Sequence, residues 1–392
     1  MSLWQHRIFR ILASKPANVC KRCRFSAKLE PIGIFEPADD TKQYVTGQLF
    51  LHRIFGYRGI ILIPWDVKVY DRDEFATRSY QTNSSNSNRD SSDNHSRAGN
   101  DDAGRIRGKR KEESSERGTE SAVEQTMSQA STQSRLFYSV LMDERDWKHV
   151  KYRTQTEGVT FLHETEENSP FFTIPGLDYV SHDDIMPYSS LSLKPIQHNL
   201  LDKFISYEPT TEPPFVARHA LKEWTSRNRF WLEPTDVYKE TTNDIRVTVI
   251  PFYMGCKMKN DTGGNGGSLA LNNYSGTVPQ YWWRYCIRLE NIGTQNVQLC
   301  ERNWRIFSMN GSLETVRARG VNGVEPLLSM DMPAFQYSSH VSLYTPSGHM
   351  WGTFRIRTRA GKAFDVKVPP FTLESKTASR DISGSTDDEP EK

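Results

Sequence analysis

The chain has 392 residues, enough for two domains of ordinary size together with linkers. Its formal net charge is only +2, so it is not a polycation, and any contact with nucleic acid must rest on local patches. It contains no run of about eighteen apolar residues, which excludes a membrane-spanning helix, and its five scattered cysteines do not indicate a disulfide framework.

Residues 1–28 have the composition of a targeting segment. They contain seven Arg and Lys residues and no acidic residue. The first acidic residue of the chain is Glu30. Apolar residues between Trp4 and Val19 share one face of a helix, with Arg7 and Arg10 on the other side. Such a segment is typical of a mitochondrial transit peptide, so we expect delivery to the mitochondrial matrix. The alternatives are a disordered basic tail and a tail that binds nucleic acid.

Residues 40–190 have the pattern of a small β-barrel domain. An extended run starts at Tyr44, a buried type of strand covers Ile60–Ile63, and a partner strand covers Phe137–Met142. Gly56 and Gly59 punctuate the pattern, and we attribute both to turn geometry. Short strands broken by glycine are typical of small barrels.

Part of this region resembles a known family. Gly47-Gln48, followed by His52-Arg53-x-Phe55-Gly56-Tyr57-Arg58-Gly59, resembles the opening of the YccV-like, or hemimethylated-DNA-binding, domain. Tyr179-Val180, before Asp183-Asp184, resembles its closing segment. The resemblance implies an SH3-like barrel, and bacterial members are associated with DNA binding and with presenting substrates to an ATP-dependent protease.

Five residues of this domain are candidate contacts for a partner or for DNA: His52, Arg53, Tyr57, Arg58 and Trp65. The basic side chains suit phosphate contact, and the two aromatic rings suit base stacking. Acidic neighbours between Asp66 and Glu74 dilute the positive charge. Three interpretations stay open, namely a nucleic-acid surface, a surface for a partner protein, and a solvated barrel rim.

A polar insertion interrupts the first domain at residues 78–134. It consists mainly of Ser, Asn, Asp, Arg, Gln and Glu, with almost no aromatic residue. Such a segment does not bury enough apolar area to offset its ordering entropy, so we expect it to be disordered. Its basic run Arg105–Lys111 suits nuclear import or nucleic-acid contact, or it is a solvated run of charge.

Residues 191–243 form the predicted helical connector. Phe215–Trp224 has apolar positions on one helical stripe and follows Pro213-Pro214, and Ile196–Phe204 is a weaker helical candidate. We expect these helices to pack the two domains together or to cover a sheet edge.

Residues 244–375 form the second predicted domain, an antiparallel β-sandwich. From Trp283 to Glu290 apolar and polar residues alternate, which is the period of a half-buried strand. Further short strands follow, at Ile245–Ile250, Phe335–Leu343, Met350–Arg357 and Phe364–Val368. We expect a mobile loop at Asn260–Gln280 and a disordered tail at 376–392.

The sandwich region resembles the ApaG domain. The resemblance rests on Leu289-Glu290-Asn291, Trp304-Arg305-Ile306, Gly320-Val321-x-Gly323 and Gly348-x-Met350-x-Gly352, among other strings. It implies an immunoglobulin- or fibronectin-like sandwich that acts as an interaction module. Trp282 is a candidate anchor for a partner, although the sequence does not show which side of Trp282-Trp283 faces solvent.

The sequence gives no sign of a catalytic, metal or cofactor site. Nucleotide-binding and hydrolase motifs are absent, and Ala318 replaces the first glycine of the GxGxxG string. No helical pattern follows that string, so the mechanism of phosphate binding at a helix N-terminus does not apply. Cys20 and Cys23 have CxxC spacing without a second pair. We therefore predict that the protein is not an enzyme and holds no cofactor.

The order of leader, barrel, connector and sandwich resembles an animal family of non-enzymatic adaptors found in mitochondria and in nuclei. Three strings carry this resemblance, namely Gly47–Gly59, Ile174–His182 and Ile245–Gly255. It implies protein partners: a DNA polymerase delta subunit, the sliding clamp, a primase-polymerase and the mitochondrial unfoldase ClpX. The alternative is a DNA-binding module that acts through the basic and aromatic rim of the barrel.

Overall fold

A computed structural model describes residues 32–37, 42–73, 131–150, 158–162, 171–190, 192–234, 236–260 and 277–376. The predicted leader at 1–28, with Cys20 and Cys23, lies outside these residues, as do most of the insertion and the tail beyond Lys376. Among the described helices, none is both long enough and apolar enough to cross a membrane.

The first domain consists of short strands around a bent sheet: β1 (Ile34–Phe35), β2 (Leu49–His52), β3 (Arg58–Asp71), β4 (Ser131–Met142), β5 (Gly158–Leu162), β6 (Phe171–Pro175), β7 (Leu177–Ser181) and β8 (Ile185–Ser189). The pairing runs β8-β2-β3-β4-β7, and no pairing of described residues joins β7 to β8 to close a ring. The predicted end of the disordered insertion, at residue 134, is wrong by four residues, because Ser131 already pairs with Asp71 at the end of β3.

The connector contains both helices and strands: α1 (Leu201–Phe204), β9 (Ile205–Tyr207), β10 (Phe215–Ala217), α2 (His219–Leu232) and β11 (Asp236–Thr242). The predicted helix at Phe215–Trp224 begins four residues later than expected, because Phe215–Ala217 pairs with Ile205–Tyr207 as a two-stranded sheet. The weaker helical candidate is helical only from Leu201.

Strand β11 joins the two domains into one sheet. Its residues Asp236–Lys239 pair in parallel with Lys68–Asp71 of β3, and its other edge pairs antiparallel with the first strand of the sandwich, β12 (Ile245–Asn260). In the described residues a ten-stranded sheet therefore crosses the boundary between the domains. The sequence does not predict this continuity, since a parallel pairing across 168 residues leaves no local pattern.

The sandwich packs the far end of this sheet against a second, five-stranded sheet. The first layer continues with β13 (Thr277–Asn291) and β17 (Ala334–Leu343), and the second contains β14 (Val297–Ser308), β15 (Leu313–Arg319), β16 (Leu327–Leu328), β18 (Ser347–Thr358) and β19 (Ala363–Glu374). The mainly β fold and the four shorter strands predicted for this domain are confirmed.

The core of the sandwich follows from the alternation in β13. Every second residue is buried between the two sheets: Trp283, Tyr285, Ile287 and Leu289. Each buried side chain of this size contributes roughly 1.5–3 kcal/mol of hydrophobic stabilisation. The predicted loop at Asn260–Gln280 is shorter than expected, because β12 and β13 stay paired as far as Asn260 and Thr277; residues 261–276 lie outside the described part.

Candidate functional site

The structure buries three of the five candidate residues of the first domain. His52 is 2% exposed, and its Nδ1 accepts hydrogen bonds from the backbone N–H groups of Ile54 and Phe55, each at 3.2 Å. The imidazole therefore stabilises the turn after β2 instead of meeting solvent. Its expected role as a surface contact is wrong, because its ring nitrogen serves as an acceptor for that turn.

The two aromatic candidates lie in the interior as well. Tyr57 is fully buried, and its hydroxyl donates to the carboxylate of Asp178 at 2.7 Å. Trp65 is 5% exposed, and its indole N–H donates to the hydroxyl of Ser139 at 2.7 Å. A ring without an exposed face does not stack on a base, so the prediction of two stacking faces is wrong.

The two arginine candidates have different surroundings. The Arg58 guanidinium forms a bidentate pair with Asp146 at 2.7 and 2.8 Å, and this hydrogen bond raises the pKa of Arg58 above its usual value even though burial opposes it. Arg53 is exposed. Of the five candidates, Arg53 alone is exposed, which weakens the alternative of DNA binding by the barrel.

A buried ion network connects the two domains. Asp184, in the 3-10 turn His182–Asp184 of the first domain, pairs with Arg288 of β13 at 2.5 Å, and Arg288 also reaches Glu290 at 2.9 Å. Burial alone would raise the pKa of Asp184, but the nearby charges, Arg288 foremost, lower it to about 2. In the sequence Asp184 is visible only as part of an acidic pair, because its partner lies 104 residues away.

A second contact across the boundary between the two domains is a buried cation between aromatic rings. The Arg284 guanidinium lies 4.1 Å from the ring centroid of Phe252 and 5.8 Å from that of Tyr179, which belongs to the first domain. The hydroxyl of Tyr179 donates to the carbonyl of Leu232 at the end of α2. Cation–π contacts of desolvated groups contribute on the order of 2 kcal/mol. The domains are thus held in one relative orientation.

A cavity of about 470 Å³, here called the seam cavity, lies between the domains where β3, β11, β12 and β19 converge, and Trp283 of β13 lines it from the face of β13 opposite to Arg284 and Arg288. The rings of Tyr70 and Tyr238 stack in its wall with centroids 5.0 Å apart. Pro369 and Pro370 line another side. Lys376 lies at the rim, where burial lowers the pKa of its amine and its Nζ donates to the carbonyl of Glu233 at 3.2 Å.

The lining residues determine which groups the cavity offers to a ligand. Its wall combines aromatic rings, prolines and side chains of both charges, and none of its lining residues is histidine or cysteine. Across the described residues, no three His, Cys, Asp or Glu side chains meet in a way that would hold a metal ion. Recognition pockets typically combine apolar walls with a few polar groups that fix orientation.

Trp282 lies on the face of β13 opposite to Trp283. Trp283 is buried in the sandwich core, whereas Trp282 is half-buried, between Gly255 of β12 and Ser342 of β17 in the register. The structure thus answers the question of orientation that the sequence left open. A contact between Trp282 and a partner stays a prediction.

The GxGxxG-like string forms a tight turn. A β-bridge joins Val321 and Val324, and an Arg302 guanidinium nitrogen donates to the carbonyl of Gly320 at 2.7 Å. The segment leads from β15 to the short β16, so a strand–turn–helix unit is missing there. This agrees with the sequence argument about its context.

Comparison with known proteins places this architecture in a family. The mouse polymerase delta-interacting protein 2 is 46% identical over 364 residues, which cover 93% of this chain and 84% of the mouse protein. The chain belongs to the polymerase delta-interacting protein 2 family. The human member is 47% identical over 347 residues, covering 88% of this chain and 80% of the human protein.

The sandwich itself belongs to a wider group. The family model of the ApaG domain matches residues 272–358, and the Protein ApaG of Rhodospirillum centenum is 35% identical over 139 residues, 36% of this chain and 94% of that protein. The resemblance to ApaG is confirmed. The matched range omits β12 and the whole of β19, which complete the sandwich in the structure. The YccV-like resemblance of the first domain stays a prediction.

Proposed function

We propose that this protein is a non-enzymatic adaptor that binds DNA replication and repair proteins. Its partners are a DNA polymerase delta subunit, the sliding clamp and a primase-polymerase, and in mitochondria the unfoldase ClpX. The observation that carries the proposal is the seam cavity of about 470 Å³, built by strands of both domains. Family membership supports the choice of partner, because the mouse and human relatives are named for interaction with polymerase delta.

The seam offers a preformed surface, which lowers the entropic cost of binding. The ten-stranded sheet connects β3, β11 and β12, which all line the cavity, so these walls are held relative to each other. The stacked rings of Tyr70 and Tyr238 give a flat apolar wall, and Lys68 and Asp236 supply charges of both signs. A peptide segment of the polymerase delta subunit is the occupant that we assign to this cavity.

The test is titration calorimetry of the full chain with the purified polymerase delta subunit. Tyr70→Ala removes one ring of the wall and Lys376→Glu reverses the rim charge, and each should weaken binding by about ten-fold or more. Tyr207→Ala is the matched control, since Tyr207 is 43% exposed on β9 and outside the cavity. Absence of binding by the wild type, or equal binding by all four proteins, contradicts the proposal.

The mitochondrial site of action rests on the composition of residues 1–28, which contain no acidic residue. Fusion of residues 1–40 to a fluorescent protein should direct it to mitochondria, and reversal of Arg7 and Arg10 to Glu should abolish import. Affinity capture from mitochondria with protein lacking residues 1–28 should recover ClpX. The basic run Arg105–Lys111 is the segment to delete in the corresponding test for a nuclear pool.

A further inference from the structure

The outer face of the five-stranded sheet concentrates positive charge. Directly opposite residues of antiparallel strands project from the same face, so the strand register shows which side chains meet there. Eight charged residues share this basic face, of which six are cationic and two anionic, a net charge of +4: Arg305, Arg317, Arg319, Arg355, Arg357 and Lys367, with Glu301 and Asp365. All six cationic residues are exposed.

Some of these cations already have partners. Arg317 reaches Glu301 at 2.8 Å and Arg355 reaches Asp365 at 2.9 Å, while Arg319 pairs with Glu325 at the edge of the sheet. Lys367 lies 3.7 Å from Glu240 of β11. Exposed pairs of this kind contribute little to stability and exchange readily for another anion.

Four cations of this sheet fall in two places: Arg357, Arg359 and Lys362 lie at the end next to the β18–β19 turn, and Arg305 lies opposite Trp351, six positions away along β18. Within the part of the chain that the structure describes, no carboxylate lies within 4 Å of Arg305 or Arg357. The same holds for Arg359 and Lys362, which are exposed in the turn between β18 and β19. Exposed cations without acidic partners are the groups that gain most from phosphate.

An aromatic side chain lies next to one of these cations, Arg305. Trp351 of β18 lies directly opposite Arg305 of β14, so its ring belongs to the basic face, and it is half-buried. Its neighbour Met350 is buried in the sandwich core, which fixes the opposite orientation for Trp351. An indole beside a guanidinium group on a flat sheet provides a stacking surface next to a phosphate contact.

We infer that the basic face binds single-stranded nucleic acid. Arg357 and the cations of the β18–β19 turn contact phosphates at one end of a strand that crosses the sheet, Arg305 contacts a phosphate farther along it, and Trp351 stacks on an unpaired base beside Arg305. The bases of a duplex are already stacked on each other, so they do not reach a side chain on a flat sheet. An acidic peptide satisfies the charges but gives Trp351 no base to stack on. This face is separate from the seam cavity.

Fluorescence anisotropy of a labelled 20-nucleotide oligothymidylate with the full chain, at several salt concentrations, tests the inference. The logarithm of the binding constant should fall linearly with that of the salt concentration, with a slope of roughly −0.7 per phosphate contact. Arg305→Ala/Arg357→Ala should make the slope shallower by about 1.4. Arg227→Ala on α2 is the control, because that arginine is 75% exposed and remote from the basic face.

The aromatic contact has its own variants. Trp351→Leu should weaken binding by on the order of ten-fold, while Trp351→Phe keeps a stacking ring and most of the affinity. Melting curves show whether each variant is folded. Three results overturn the inference: unchanged binding by the double arginine variant, which assigns the oligonucleotide to another basic segment; unchanged binding by Trp351→Leu; and equal competition by polyglutamate, which indicates a general anion surface.

Discussion

The Asp184 carboxylate and the Arg288 guanidinium lie 2.5 Å apart across the boundary between the two domains. Their side chains are 9% and 14% exposed, so both charges are largely removed from water. A buried charge is costly unless it is paired and hydrogen-bonded. This pair therefore contributes to specificity of domain orientation, because any other arrangement would leave one of the charges without its partner.

Replacement of Arg288 by Met should strongly destabilise the protein. The substitution leaves the carboxylates of Asp184 and Glu290 without their cation, and breaking a buried pair in this way costs about 3–5 kcal/mol. Urea unfolding measured by tryptophan fluorescence gives the change in free energy of unfolding. An exposed pair provides the control: Arg227→Met, which removes the partner of Glu223, should cost about 1 kcal/mol or less.

A double variant separates the buried charge from lost packing. Asp184→Asn/Arg288→Met removes one buried anion together with the cation, so it should recover a large part of the free energy lost in Arg288→Met. If the double variant is as unstable as the single one, the loss comes from packing of the arginine side chain and the electrostatic interpretation is wrong.

Asp184 also predicts a loss of stability in strong acid. Burial opposes ionisation, but the charges of Arg288, His52 and Arg53 outweigh it and lower the pKa of Asp184 from 3.8 to about 2. Because the folded-state pKa lies below the unfolded-state value, the stabilisation is complete above pH about 4 and is lost as the pH falls toward 2. The shift corresponds to roughly 2 kcal/mol. Asp184→Asn should flatten the stability curve in this window; an unchanged slope would contradict the assignment.

Titration of His340 should cause a second loss of stability, at less acidic pH. Burial, and next the charge of Arg284 directly opposite on β13, lower the pKa of His340 from 6.5 to about 4. The unfolded chain binds a proton that the folded protein does not, so stability should fall as the pH decreases from about 6.5 to about 4, by on the order of 3 kcal/mol. Denaturant midpoints of His340→Gln should vary less across this range.

His198 provides an internal comparison for that window, since burial lowers its pKa too. It therefore contributes with the same sign, and His340→Gln alone should remove part of the slope rather than all of it. His198→Gln/His340→Gln should be flatter than either single variant. A slope in His340→Gln equal to that of the wild type would show that the pKa of His340 is the same in the folded and the unfolded protein, which contradicts the prediction.

What the sequence predicts well is local. The alternation from Trp283 to Leu289 identifies β13 and its buried face, because the period of a strand is a property of consecutive residues. Tyr57 shows the limit of that reasoning. Its neighbours in sequence are basic, which suggested an exposed ring, but its hydrogen-bond partner Asp178 lies 121 residues away. A side chain whose location depends on a distant partner carries no mark of it in its own neighbourhood.

The two proposed binding surfaces also depend on contacts between residues that are distant in sequence. The seam cavity depends on the parallel pairing of β11 with β3, and the basic face depends on the register among four strands, so neither is visible as a motif. Arg305 and Trp351 are separated by 46 positions and become neighbours only when β14 pairs with β18. Periodicity predicts a β-sandwich, and the family resemblance adds that this sandwich is an ApaG domain.

Gly59 gives a prediction that follows from a corrected interpretation. The sequence pattern predicts that turn geometry accounts for both Gly56 and Gly59. Gly56 does have a φ of +70°, with nothing within 4 Å of a Cβ placed there. Gly59 is different, because it lies in β3 and a Cβ would approach the ring of Phe50 to 2.6 Å. Gly59→Ala should therefore cost about 1–3 kcal/mol through overpacking, and Gly56→Ala about 1–2 kcal/mol through backbone strain.

A cycle with Phe50→Leu distinguishes the two causes. Phe50 is fully buried, and a smaller side chain there frees the space that the new methyl group of Gly59→Ala would fill. The double variant Phe50→Leu/Gly59→Ala should thus be more stable than the sum of the single changes predicts, with a coupling energy of about 1 kcal/mol, whereas Phe50→Leu and Gly56→Ala should be additive. Chemical denaturation of the wild type, the three single variants and the two double variants supplies both values. Additivity at Gly59 would mean that the ring of Phe50 moves aside without cost, and that the close packing of β2 on β3 does not require glycine.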